Sequence, residues 1–346
     1  MKQIRFSEIE GFCVGHEQDI DAVTGCTAII CPKGGVSAVD IRGGGPATRE
    51  TPLMDSDKNT HRIHSVVFSG GSAFGLAASQ GVMECLEENN IGYKVRTGIV
   101  PLVSGACIFD LAIGKNDVRP DSEMGYRAAE RALHQYEISK AGNNDTRLDL
   151  DSEKQGNVGA GMGATVGKLG GPAQMMKSGL GTYAVEHEGI KVGAIAVVNA
   201  LGDIIDDGNI VAGMLKPDYK IGSNVEPDDI FASTFDSLLD KIKASNMFEF
   251  RRENTTLVCV VTNCDVTTQE AQKLAQMASN GMPRVIFPVN TSADGDAVFC
   301  MNAGDKKANI DVLGMIAADV VKNAIIRGVK ETEGINDIPS YRDISR

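Results

Sequence analysis

Tryptophan is absent from the 346 residues, and Phe, Tyr and Trp together make up only 5% of the chain. The core must therefore be built from Val, Ile, Ala, Leu and Met, while 39 glycines allow tight turns and close backbone approaches. Basic residues are also in short supply. Lys and Arg number 34 against 46 Asp and Glu, a net charge of −12 that excludes an electrostatic grip on nucleic acid or on an anionic membrane. No apolar run approaches the ~18 residues of a membrane span, and the N-terminal residues Met1 to Glu8 lack the continuous apolar stretch of a leader, so the expectation is a cytoplasmic protein. The eight cysteines include no Cys-x-x-Cys and read as buried free thiols of a reducing compartment. Five dispersed histidines form no His-x-x-x-His or Glu-x-x-His, which argues against a zinc enzyme, and no Gly-x-Ser-x-Gly elbow is present. No cofactor is expected. What these absences leave is a nucleophile that carries its own base.

One stretch fits that description. The charged lead Arg251, Arg252 and Glu253 meets the β-branched, apolar run Leu257 to Val261 at Asn254-Thr255, which places a hydroxyl at the mouth of a buried strand. If the bond before Thr255 is cut, the new α-amine titrates near ~7.7–8.0, against ~10.4 for a lysine, and serves as a base at neutral pH without histidine.

The length prior allows roughly two domains but is met equally by one α/β domain. Gly25 to Cys31 and Val36 to Ile41 read as strands of a hairpin turned by Pro32 to Gly35, followed by an irregular glycine loop over 42–51. Ser69 to Gly75 follows a strand and opens a helix. A phosphate-binding reading is weak there, because the spacing is not G-x-G-x-x-G and no lysine follows; glycines for helix–sheet packing explain it equally well. The second glycine run, Gly156 to Leu169, fails as a Walker loop, with Met162 and Leu169 at required positions, and by spacing alone Lys168 reads as a surface lysine. Asn199 ends a strong strand (191–200), as either turn chemistry or a fixed amide able to donate to an oxyanion. Asp294-Gly295-Asp296 puts two carboxylates at another strand mouth. Residues 137–156 are the best candidate linker, without a domain boundary, and helices are expected over 122–136, 227–247, 267–280 and 308–325.

Taken together, Val14-Gly15-His16, Thr24-Gly25, Arg42-Gly43-Gly44, Thr48-Arg49-Glu50-Thr51, Ser69 to Leu76, Arg119-Pro120-Asp121, Gly156 to Gly161, Asn254-Thr255-Thr256 and Asp294-Gly295-Asp296 resemble the DmpA family of self-processing N-terminal-nucleophile hydrolases. That family takes in aminopeptidases and nylon-oligomer hydrolases. The resemblance implies an α/β, four-layer sandwich of two β-sheets between helical layers. It further implies a single domain that cuts itself into residues 1–254 and 255–346. Thr255 would be the nucleophile, Asn199 the oxyanion-stabilising amide, Lys168 a site lysine, and Asp294 and Asp296 the pair that orients the Thr255 amine and hydroxyl. The Thr and Asp-x-Asp pattern is that of the nylon-oligomer branch, where Phe109 replaces a tyrosine. The implied activity is hydrolysis of short peptides or amino-acid amides, with 6-aminohexanoate oligomers as the alternative substrate. The implied assembly is a homo-oligomer, a tetramer of processed heterodimers. Two other readings stand beside it: a non-catalytic, unprocessed relative and a nucleotide-binding α/β protein.

Overall fold

A computed structural model describes the chain except His61, residues 141–149, Asn224, residues 226–228, 245–252 and 345–346. Arg251 and Arg252 of the charged lead, and much of the polar stretch 137–156, thus lie outside the described residues. Ten strands make the main sheet system: β1 (Lys2–Ile4), β2 (Cys13–Asp19), β3 (Thr24–Ile41), β4 (Thr48–Arg49), β5 (Arg62–Ser69), β6 (Val103–Cys107), β7 (Leu180–His187), β8 (Ile190–Asn199), β9 (Thr255–Cys264) and β10 (Ala297–Lys306). Their spatial order is β1-β7-β8-β9-β10-β3-β5-β6-β4, with β2 also on β3. The β9–β10 and β5–β6 pairs are parallel and the rest are antiparallel.

The expected hairpin at Pro32 to Gly35 is corrected by β3. Residues 24–41 are one strand of 18 residues, and the glycines make an irregularity in its pairing between Ile30 and Gly35. Gly34 takes φ +72°, which costs a glycine nothing, so the chain bends and continues where turn composition predicted a reversal. The first half of β3 pairs with β2 and β5, and its end, Val36 to Ile41, pairs with β10. One strand thereby belongs to both layers of the sandwich.

Side-chain alternation along β9 builds the layers. Val258 and Val260 pack with Leu274 and Ala275 of α4 (Thr268–Ala278) and Val320 and Ala324 of α5 (Ile310–Lys330). Leu257, Cys259 and Val261 point the other way, into a sheet-to-sheet core with Ile29, Val66 and Phe68. Phe68 and Phe299 meet across that core with ring centroids 5.8 Å apart. Beyond the second sheet, Ala28, Ile30 and Val67 pack against Val82 and Leu86 of α1 (Ala78–Glu88) and Ala128 and Ala132 of α2 (Ser122–Lys140). The result is helix, sheet, sheet, helix. Strands buried on both faces read as continuous apolar runs, which is why Leu257 to Val261 shows no polar alternation. Among the described residues, no helix is long and apolar enough to cross a membrane.

Candidate active site

Three neighbouring strands bring the singled-out residues together. Asn199 closes β8 and pairs in register with Thr255, the first residue of β9. The Asp294-Gly295-Asp296 run leads into β10 on the other side of β9, and Asn254 bridges to Asp294. Thr255 and both aspartates are buried. The Thr255 hydroxyl donates to the carbonyl oxygen of Asn254 at 2.5 Å, so the nucleophilic atom lies against the peptide bond that precedes it. That carbonyl also accepts the Gly295 N–H at 2.8 Å.

Lys168 is not a surface lysine. Its Nζ donates to the Asn199 carbonyl (3.0 Å), the Asn199 Oδ1 (2.6 Å) and the Glu253 carbonyl (3.0 Å). The Asn199 amide nitrogen donates to the carbonyls of Phe109 (3.2 Å) and Glu253 (3.4 Å), while its Oδ1 also accepts the Thr165 N–H (3.2 Å). The lysine and the asparagine therefore hold the residue before Asn254. Asp296 accepts from the N–H groups of Thr256 (2.6 Å) and Asn290 (2.9 Å), and Asp294 accepts the N–H and hydroxyl of Thr291, both at 2.7 Å.

The electrostatics follow from burial. Loss of solvent, then the neighbouring Asp294 charge, pushes Asp296 up to about 7. Asp294 is raised as well, chiefly by burial. Burial brings Lys168 down to about 7, against the pull of Asp294, Glu253, Asp110 and Asp296. Groups that titrate near neutrality inside a closed site are suited to proton transfer. Beside them lies a cavity of about 450 Å³ whose wall includes Phe109, Ile113, Leu169, Met175 and Leu201 together with Lys168 and Asn254.

Further residues support the site, and two of them, Asp110 and Lys177, were not singled out in the sequence. The glycine loop after β3 backs the aspartate turn: Arg42 and Gly43 N–H groups donate to the Asp296 carbonyl (3.1 and 3.2 Å), Gly44 to Thr291 (3.1 Å) and Gly45 to Asp294 (2.9 Å). A Cβ on Gly43 would stand 2.3 Å from the Asp296 nitrogen, so only glycine permits this approach. The Ser69–Gly75 stretch does hold an acidic group, the protein's own Asp110, whose carboxyl burial raises above the usual range. Asp110 accepts the Gly71 N–H and the Thr24 hydroxyl, each at 2.7 Å, where a phosphate reading expected a ligand. Lys177 is fully buried and donates to the carbonyls of Gly161 (3.3 Å), Ala164 (3.0 Å) and Ser178, tying the second glycine run to the strand end beneath Asn199. Burial lowers it to about 7, with Asp110 opposing. Nothing in its local sequence marks a buried cation.

The layered fold has solved counterparts. The L-aminopeptidase D-Ala-esterase/amidase from Ochrobactrum anthropi, described as a variant of the Ntn hydrolase fold, superposes with TM-score 0.67 at 16% identity over 97% of this chain and 88% of its own. A Burkholderia sp. beta-aminopeptidase superposes with TM-score 0.61 at 17% identity over 97% and 89%. The architecture is thus that of the Ntn hydrolases. The sequence pattern of Peptidase family S58 matches residues 5–339, and the chain belongs to that family. An uncharacterized aminopeptidase of Mycobacterium leprae is 34% identical over 97% of this chain and 92% of its own length. A 6-aminohexanoate-oligomer endohydrolase of Kocuria sp. is 28% identical over 94% and 86%. The chain is an amide hydrolase built on the Ntn-hydrolase fold.

Proposed function

We propose that the chain cuts itself between Asn254 and Thr255, and that the freed Thr255 then hydrolyses short peptides or amino-acid amides. The observation that carries this reading is the Thr255 hydroxyl 2.5 Å from the Asn254 carbonyl oxygen, in a buried site where loss of solvent pushes Asp296 up to about 7 and raises Asp294. Thr255 Oγ adds to the Asn254 carbonyl carbon, the carboxylate pair takes the hydroxyl proton and passes it to the leaving Thr255 nitrogen, and the C–N bond breaks. The peptide has become an ester. Water then splits the ester, giving an Asn254 carboxylate, the Thr255 hydroxyl and a free α-amine. In turnover the amine takes the hydroxyl proton, a substrate acyl group forms an ester on Thr255, and water releases it.

The single domain stays together after the cut. Residues 255–346 contribute β9 and β10, which lie between β8 and β3 of the first fragment, so separation would expose both faces of a buried sheet. Lys168 and Asn199 hold the tail through Glu253 in the precursor, and the same donors would receive the substrate once the tail leaves. The apolar wall of the cavity and the relationship to the Kocuria enzyme favour one second reading, endo-hydrolysis of 6-aminohexanoate oligomers. Denaturing electrophoresis with N-terminal sequencing tests the proposal. Wild type should give two fragments, the smaller beginning Thr-Thr-Leu-Val, and Thr255→Ala only the full 36.7 kDa chain. A wild type that is active and uncut overturns it.

A further inference from the structure

The carbonyl attacked in that self-cleavage needs a donor where negative charge develops, and Asn199 does not supply it in the precursor. Its amide nitrogen is turned to Phe109 and Glu253. The Asn254 oxygen instead receives the Gly295 N–H at 2.8 Å, within the range that serves an oxyanion. We infer that Gly295 is a catalytic residue of the self-cleavage, its N–H stabilising the charge on the Asn254 oxygen while its missing side chain leaves room for the Thr255 hydroxyl. The assignment rests on the reading that the chain cuts itself at this bond.

Two further features make the donor a built one. The peptide between Asp294 and Gly295 is held at both ends, since its carbonyl accepts the Gly45 N–H at 2.9 Å while its N–H faces Asn254. Hydrogen bonds in line polarise one another, and a dipole already fixed does not reorganise when charge appears. Steric need points the same way. A Cβ on residue 295 would stand 2.7 Å from Thr255 Oγ1 and 3.1 Å from the Gly45 carbonyl oxygen, so a side chain would displace the attacking atom or open the loop. The step is balanced: the Oγ–C bond forms as the carbonyl π pair moves onto the Asn254 oxygen, and that pair returns as the C–N bond breaks.

Cell-free synthesis, with the 36.7 kDa precursor followed into its fragments, tests the assignment. Gly295→Pro removes the N–H and should slow cleavage by roughly 10²–10³-fold, the usual cost of one oxyanion donor. Gly295→Ala keeps the N–H but crowds Oγ1, and should slow cleavage by about tenfold with the pH midpoint of cleavage unmoved. Folding is checked in uncut double variants with Thr255→Ala, and the alanine variant carries the test if the proline variant does not fold. Wild type that cuts, together with a folded Gly295→Pro or Gly295→Ala that keeps pace with it, overturns the Gly295 assignment alone. A wild type that never cuts overturns the self-cleavage reading instead.

Discussion

Replacing Gly43 by alanine tests how the aspartate turn is held in place. The new Cβ would stand 2.3 Å from the Asp296 nitrogen and 2.4 Å from the Asp294 carbonyl oxygen, both backbone atoms, where real Cβ contacts do not fall below 3.0 Å. No flexible side-chain end is available to yield, so the two loops must part by roughly 0.7 Å, the shortfall from that limit. Overpacking of this kind costs about 1–3 kcal/mol, and the four backbone hydrogen bonds from residues 42–45 would each weaken by a fraction of their ~1 kcal/mol. A net loss of about 2–4 kcal/mol corresponds to a fall in Tm of about 3–6 °C for a chain of this size, at about 2.1 cal/mol/K of unfolding entropy per residue. Misplacement of catalytic groups by somewhat under 1 Å costs up to about 10²-fold in rate. Tm is measured by calorimetry in the Thr255→Ala background, where both proteins are single chains, and cleavage is timed in the Thr255 background. Gly98→Ala is the control, since nothing lies within 4 Å of its Cβ position and the change should stay within about 0.5 kcal/mol. A Gly43→Ala chain that melts and cuts like wild type would refute the supporting role of the loop.

Three other outcomes are expected. Cleavage should rise with pH through about 7 as Asp296 ionises, and Lys168→Met, which removes a cation that lowers the aspartates, should move that midpoint alkaline by about one unit in a pH–rate profile; an unmoved or acid-shifted midpoint contradicts it. Lys177 is held down at about 7 by burial, so between there and its unfolded value near ~10.4 the unfolded chain binds more protons and wild-type stability gains with pH. Lys177→Met lacks that contribution, so its Tm deficit against wild type should be larger at pH 9 than at pH 7. Gly70→Ala places a Cβ 2.0 Å from Asp110 Oδ2 and 2.3 Å from Thr24 Oγ1, and should cost about 2–4 kcal/mol in denaturant unfolding, with a loss under 0.5 kcal/mol counting against the role given to the buried Asp110 carboxyl.

The strand framework around the site was legible because β8, β9 and β10 carry unbroken apolar runs that end in polar residues. Thr255, Asn199 and the aspartate pair each stand at such an end, which marked them as candidates, although by strand position alone Asn199 read equally as turn chemistry. Lys168 was not legible by spacing, since a lysine after a glycine run is usually solvated and its three acceptors come from Asn199 at the β8 terminus, 31 residues on, and from Glu253, 85 residues on. The Ser69–Gly75 run gave only a weak anion-binding signal and no hint of Asp110, which arrives from 39 residues beyond Gly71. The Pro32–Gly35 stretch has turn composition, yet pairing with different strands on either side pulls it straight. In each case the deciding contact is long-range, where local propensity carries no information.

Trapping the acyl group on the nucleophile tests the central claim most directly. Purified protein is mixed with an activated amino-acid ester, quenched in acid and read by intact mass and fragmentation, with hydroxylamine used to separate an ester from an amide. The expected result is a single, hydroxylamine-labile acyl group on Thr255 at the start of the 255–346 fragment. An acyl group on any other residue, or full activity from a chain still joined at Asn254-Thr255, would contradict it.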